Sequence, residues 1–123
     1  MNPFVFIIML VKVNKNYFKT KALLDRKSHA LGMMNRKFDE SFDCLLFIME
    51  GKEQSFWMKN CIIPLDIIMV NNNLITTIHH NCQPCNEEVC PNYEGYGNIV
   101  MELRGGTCEK LGIEEGDFVQ YIF

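Results

Sequence analysis

One short stretch of this chain brings together an indole, an ammonium, an amide and a carboxylate: Phe56-Trp57-Met58-Lys59-Asn60, followed by Pro64-Leu65-Asp66. On a strand, alternate side chains share a face, so Trp57 and Lys59 point together while Phe56 and Met58 point the other way. An aromatic surface beside a cation suits a planar or anionic small ligand. Asn60 adds a donor and an acceptor, and Asp66 either pairs with Lys59 or caps backbone amides. The same residues also fit a structural role, with Trp57 plugging a core and Lys59 and Asp66 forming an ion pair. Glu102 stands in an otherwise apolar run, Ile99-Val100-Met101-Glu102-Leu103, and is a candidate polar partner from a later strand.

A second constellation, His79-His80-Asn81-Cys82-Gln83-Pro84-Cys85-Asn86-Glu87-Glu88-Val89-Cys90, sets two imidazoles and three thiols close together. Cys82 and Cys85 have zinc-knuckle spacing, and His79 or His80 with Cys90 would complete a tetrahedral N and S set, making zinc a candidate cofactor. A redox pair is a second option, weakened because Cys82 and Cys85 lie where a strand runs into a loop and not at a helix N-terminus. A Cys85–Cys90 disulfide closing a short loop is a third, available in an oxidising compartment. Cys44, Cys61 and Cys108 sit among apolar neighbours and read as free buried thiols.

Other chemistry lacks its residues. The sequence has no Gly-rich phosphate loop, no G-x-S-x-G elbow and no H-E-x-x-H pair. A formal charge of -3 argues against nucleic acid, which is held by clustered Lys and Arg. The basic stretch 12–37 is diluted along the chain, interrupted by Asp25, and reads as a solvated face.

The elements that must carry these residues follow from hydrophobic period. At 123 residues, 48% apolar, the chain is long enough for one domain with its own core, residues 1–123. Apolar runs of strand length occupy 3–13, 45–49, 55–59, 66–70, 74–79, 98–103 and 118–122. Asn71-Asn72-Asn73 between two of them marks a hairpin, since Asn tolerates the left-handed backbone of a tight turn. The spacing predicts a helix over 20–31 stopped by Gly32, and a short one over 108–111 capped by Thr107 and stopped by Gly112. The fold class expected is α+β, mainly β: a compact barrel-like antiparallel or mixed sheet with two short helices. Residues 3–11 are far short of the roughly 20 needed to span a bilayer. They lack the positive n-region and small-residue cleavage site of a secretory signal, which favours a buried first strand.

Several motifs in order resemble a known family: Leu31-Gly32-Met33-Met34 with Arg36, Leu46-Phe47, Phe56-Trp57-Met58-Lys59-Asn60, Pro64-Leu65-Asp66, Pro84-Cys85 with Cys90-Pro91 and Tyr93, Met101-Glu102-Leu103, Gly106, Leu111-Gly112-Ile113 and Gly116-Asp117. The chain resembles the domain of unknown function 192 family, over a core of about residues 22–123. The resemblance implies a compact β-rich domain, exported in many members, with no established reaction. Two positions depart from the family pattern: Cys44-Leu45-Leu46-Phe47 stands where Gly-Met-Leu-Phe is usual, and Cys61 where Thr is common. Only Cys85 and Cys90 match the family's cysteine pair, so the four-ligand zinc set is not implied by it.

The function expected is a small soluble ligand-binding or accessory domain, noncatalytic, with a cleft lined by Trp57, Lys59, Asn60, Asp66 and Glu102 for a polar or anionic small molecule. A small enzyme is the alternative, using Lys59 with Asp66, or a cysteine activated by His79 or His80. A second alternative is an interaction module, because Leu111-Gly112-Ile113 with Gly116-Asp117 and Val119 resembles the strand entry of swapped-hairpin transcription-factor barrels. The sequence favours a cytoplasmic setting, whereas the family resemblance favours export.

Overall fold

The computed structural model describes residues 6–123. Along the chain run β1 (Phe6–Val13), β2 (Asn16–Leu23), α1 (Arg26–Leu31), β3 (Cys44–Ile48), β4 (Glu53–Trp57), β5 (Leu65–Asn71), β6 (Leu74–Cys82), β7 (Asn92–Tyr96), β8 (Ile99–Arg104), α2 (Thr107–Leu111) and β9 (Val119–Ile122). Seven strands form one sheet in the order β6-β5-β8-β3-β2-β1-β9, and β4 pairs with β7 in a small second sheet. Every pairing is antiparallel except β2 with β3.

The large sheet curls until its outer strands meet at one end. Leu74 bridges Phe118, Ile75 N–H donates to Asp117 O at 3.0 Å, and Val119 N–H donates to Asn73 O at 2.8 Å. The result is a half-barrel with one core inside the curl and another on the outer face. Along β3, Cys44 and Leu46 enter the inner core while Leu45 and Phe47 enter the outer one. Both faces being buried, the central strands read as unbroken apolar runs with no polar alternation. The outer core is roofed by Met33, Phe38, Phe42 and Met58 and by Phe56 and Tyr93 of the small sheet. Each such large side chain taken from water stabilises the fold by roughly 1.5–3 kcal/mol.

Turn chemistry is written largely in asparagine. Among the described residues, all six non-glycine positions with positive φ are Asn: Asn14, Asn35, Asn60, Asn72, Asn73 and Asn81. Asn72 and Asn73, at φ 51° and 65°, make the two-residue turn of the β5–β6 hairpin, a left-handed pair that matches strand twist.

The expected mainly β, barrel-like architecture with two short helices is observed. Several local expectations are corrected. Residues 20–23 belong to β2, and the helix begins only at Arg26, where the Asp25 carboxylate accepts from Ser28 N–H at 3.0 Å. The alternation Tyr17 out, Phe18 in, Lys19 out, Thr20 in is what makes that segment a strand. The strand expected at 55–59 starts earlier and ends at Trp57, and β7 was not anticipated. Thr107 is the first residue of α2 and not its cap; Gly106 occupies the cap position. Of the first strand expected at 3–13, residues 3–5 lie outside the described residues. Among the described residues, no helix is long and apolar enough to cross a membrane.

Candidate functional site

The outer core does not close completely. Between the end of α1, β3, the β4 strand and the segment 57–61 lies an open cavity of about 240 Å³. Phe47 and Phe56 meet edge to face on one side, with ring centroids 5.0 Å apart. Met33, Met49 and Cys61 add sulfur-bearing surface, Trp57 and Lys59 also line the cavity, and Glu102 is the carboxylate among its lining residues. Gly32 is required beside Phe47: its φ is +43°, and an added Cβ would come within 3.3 Å of the ring.

Glu102 sits on the central strand β8, flanked in register by Leu45 on β3 and Ile67 on β5. It is 4% exposed, and its carboxyl has no hydrogen bond or ion pair among the described residues. Burial away from water disfavours the charged form and pushes its pKa from 4.5 up to about 8. At neutral pH the group is therefore largely a carboxylic acid, able to donate one hydrogen bond and accept another. The Cys61 thiol is pushed up to about 12, by burial first and by Glu102 second, so it is no thiolate nucleophile at neutral pH. His29 is fixed through Nε2 to Leu23 O at 2.8 Å and leans on Phe47.

The expected site residues separate into two groups. Trp57, Lys59 and Glu102 line the cavity together. Trp57 remains 49% exposed, and Lys59 Nζ donates to Glu87 O. Asn60 does not line it; its left-handed backbone is a joint, with N–H donating to Cys85 O at 3.0 Å and O accepting from Asn35 N–H at 2.8 Å. Asp66 is also absent, and the reason is strand parity. It pairs with Leu103, whose side chain enters the inner core, whereas Glu102 and Ile67 face the outer one. Asp66 is 0% exposed, and its carboxylate accepts from Asn81 N–H (2.8 Å), Gly106 N–H (3.0 Å) and Cys108 N–H (2.8 Å). It ties the irregular end of β6 and the start of α2 to β5, and it forms no ion pair with Lys59.

The cysteine and histidine cluster also differs from a zinc set. Cys85 and Cys90 are joined by a disulfide. Cys82, 3% exposed, turns inward with Sγ–H donating to His79 O at 3.4 Å, and its thiol is pushed up to about 11, chiefly by burial. His79 bonds Glu94 O at 2.7 Å through Nε2 and packs against Tyr93. Among the described residues, no three of His, Cys, Asp and Glu converge to hold a metal ion. The disulfide loop instead splints one side of the cavity: Cys85 N–H donates to Met58 O at 3.2 Å, and Lys59 and Cys85 form a parallel bridge. Phe47, Met33 and Phe56 were not singled out as site residues from the sequence, because apolar side chains in strands and motifs read as core.

Comparison with known proteins agrees with this architecture. A crystal structure of a protein of unknown function from Novosphingobium aromaticivorans is 28% identical, with a TM-score of 0.78 over 94% of this chain and 84% of that one. A second crystal structure, from Sinorhizobium meliloti and described only as a candidate transcription regulator, is 24% identical, with a TM-score of 0.81 over 98% of this chain and 97% of that one; at that identity it shows the fold alone. No curated protein matches the chain. The DUF192 family model, described as "Uncharacterized ACR, COG1430", matches residues 9–121. That span holds the cavity, both buried carboxylates and the disulfide loop, and by it the chain belongs to the DUF192 family.

Proposed function

We propose that this chain is a noncatalytic small-molecule-binding domain, whose ligand passes Trp57 and Lys59 and ends on Glu102. One observation carries this reading: a carboxyl buried on a central strand faces a cavity and has no partner among the described residues. The described residues make no bond to this carboxyl, and a ligand entering the cavity can supply one. The enzyme alternatives have less support. Lys59 and Asp66 occupy opposite faces of the sheet, and Cys85 is bonded to Cys90. The DNA-binding alternative also has little, since β9 pairs with β1 of its own chain and the net charge is -3. The disulfide fits an oxidising compartment, as the family resemblance suggests.

A screen of single-ring and short aliphatic fragments by amide NMR tests the proposal. Binders are expected to shift the amides of Met33, Phe47, Phe56 and Glu102 together with the indole N–H of Trp57, the chain's one tryptophan. Fragments that shift scattered surface amides only, and shift them equally in Glu102→Leu, would contradict it.

A further inference from the structure

Resting on that reading, we propose that the ligand class is a planar amino-substituted heteroaromatic ring, whose ring nitrogen and adjacent exocyclic amine pair edge-on with the Glu102 carboxyl. The neutral carboxyl presents a donor and an acceptor side by side at the cavity, and no described residue bonds to either. A ring nitrogen flanked by an amine offers the complementary acceptor and donor at the same spacing, so one edge satisfies both oxygens. The walls select for flatness: Phe47, Phe56 and Trp57 give aromatic surface, and Met33 and Met49 give thioethers that pack against rings. A cavity of about 240 Å³ suits one or two fused rings, leaving any further substituent outside.

The groups facing Glu102 argue against the other ligand classes. Among the described residues, the lining side chains that could carry charge are Lys59, His29 and Cys61. Lys59 is engaged by Glu87 O, His29 by Leu23 O, and Cys61 stays a neutral thiol. The flanking strands contribute only Leu45 and Ile67. Lys59 keeps its charge, but its ammonium is held at Glu87 O and forms no ion pair with Glu102, so an anionic head at Glu102 would have to draw it away from that bond. An aliphatic ammonium would require Glu102 to ionise where burial opposes ionisation. A neutral hydrogen-bonding edge requires neither.

The test uses 2-aminopyrimidine, pyrimidine, benzoate and benzylammonium as probes, followed by amide NMR on the wild type, Glu102→Gln and Glu102→Leu at pH 6.5. 2-Aminopyrimidine should saturate the cavity amides of the wild type. Glu102→Gln should retain it, because a primary amide also offers a donor beside an acceptor. Glu102→Leu, pyrimidine and benzoate should each lose roughly tenfold or more in affinity, the usual cost of losing a two-bond pairing. Raising the pH to 9.5 should weaken the wild type, as Glu102 loses its proton, and leave Glu102→Gln unchanged. Benzylammonium binding more tightly than 2-aminopyrimidine, with that binding lost in Glu102→Gln, would overturn the heteroaromatic class and leave the cavity a ligand site. Failure of all four probes to move the cavity amides of a folded wild type would also overturn the class. If the wider fragment screen is blank as well, the binding reading fails with it.

Discussion

Asp66 and Glu102 are both buried carboxylates on neighbouring strands, one register position apart, and they live opposite lives. Asp66 faces the inner core and has three backbone amides bonded to it, fastening β6 and α2 to β5. Glu102 faces the outer core, has no partner among the described residues and looks into a cavity. Burial alone does not separate the two carboxyls; the bonds that each makes do. A buried carboxylate bonded by three amides strengthens the fold, whereas a buried carboxyl with no protein bond weakens it once ionised.

The sharpest break in that contrast is Asp66→Ala. It strands three amides, each bond to a charged acceptor contributing about 1.5–3 kcal/mol, so urea unfolding should show a loss of about 5 kcal/mol or more. Asp66→Asn, retaining one acceptor oxygen, should lose less. A change under about 1 kcal/mol would mean that Asp66 does not hold the fold.

Glu102 should behave in the opposite sense. Its folded pKa, about 8, lies above its ordinary 4.5, so the folded state holds a proton that the unfolded state has released between those values. Stability from this group is therefore complete below pH 4.5, falls as pH rises through 8, and is lost by about pH 9. The full loss is on the order of 5 kcal/mol. Unfolding midpoints of Glu102→Gln should lack this decline and exceed those of the wild type at pH 9. An identical pH dependence in the two proteins would place the unpaired carboxyl elsewhere than the structure does.

How much of this was legible in the sequence depends on parity. The expected alternation over 56–59 holds only in that Trp57 and Lys59 line one cavity: β4 ends at Trp57 and Phe56 lines the cavity with them, while Glu102 stood out as an ionisable residue in an apolar run. Asp66 was misplaced because a motif gives proximity along the chain, while the face a residue presents is set by its register against β8. The strand β7 was hidden by its polar composition and by Gly95, which is needed because an added Cβ would run into Met69 and Thr77. The β2 segment was hidden by apolar residues at 22–24 that also suit a helix, and pairing with β1 decides against one. The cysteines were ambiguous for a different cause: spacing alone allows zinc, redox or a bridge, and only the three-dimensional course of 82–90 separates them.

Smaller effects concern the walls of the cavity. Cys85→Ser opens a loop whose ends are five residues apart, and on loop-closure entropy it should cost about 2 kcal/mol. Faster amide hydrogen exchange at Asn60 and at position 85 should accompany it, because Asn60 N–H donates to Cys85 O and Cys85 N–H donates to Met58 O. Lys59→Ala should change stability by less than about 1 kcal/mol, as expected for an exposed contact, while weakening probes that carry an anionic substituent. A large loss of stability would make Lys59 a structural residue.

Glu102 is the group on which ligand binding depends, and its carboxyl carbon can be followed directly by NMR titration of the unliganded protein. The expected result is a single Glu side-chain signal, assigned to Glu102 by its absence in Glu102→Gln, that titrates near pH 8. A Glu102 carbon that titrates in the ordinary carboxylate range, near 4.5, would contradict the account: the group would then be hydrated or paired, and the cavity would have no unmet bonds to offer a ligand.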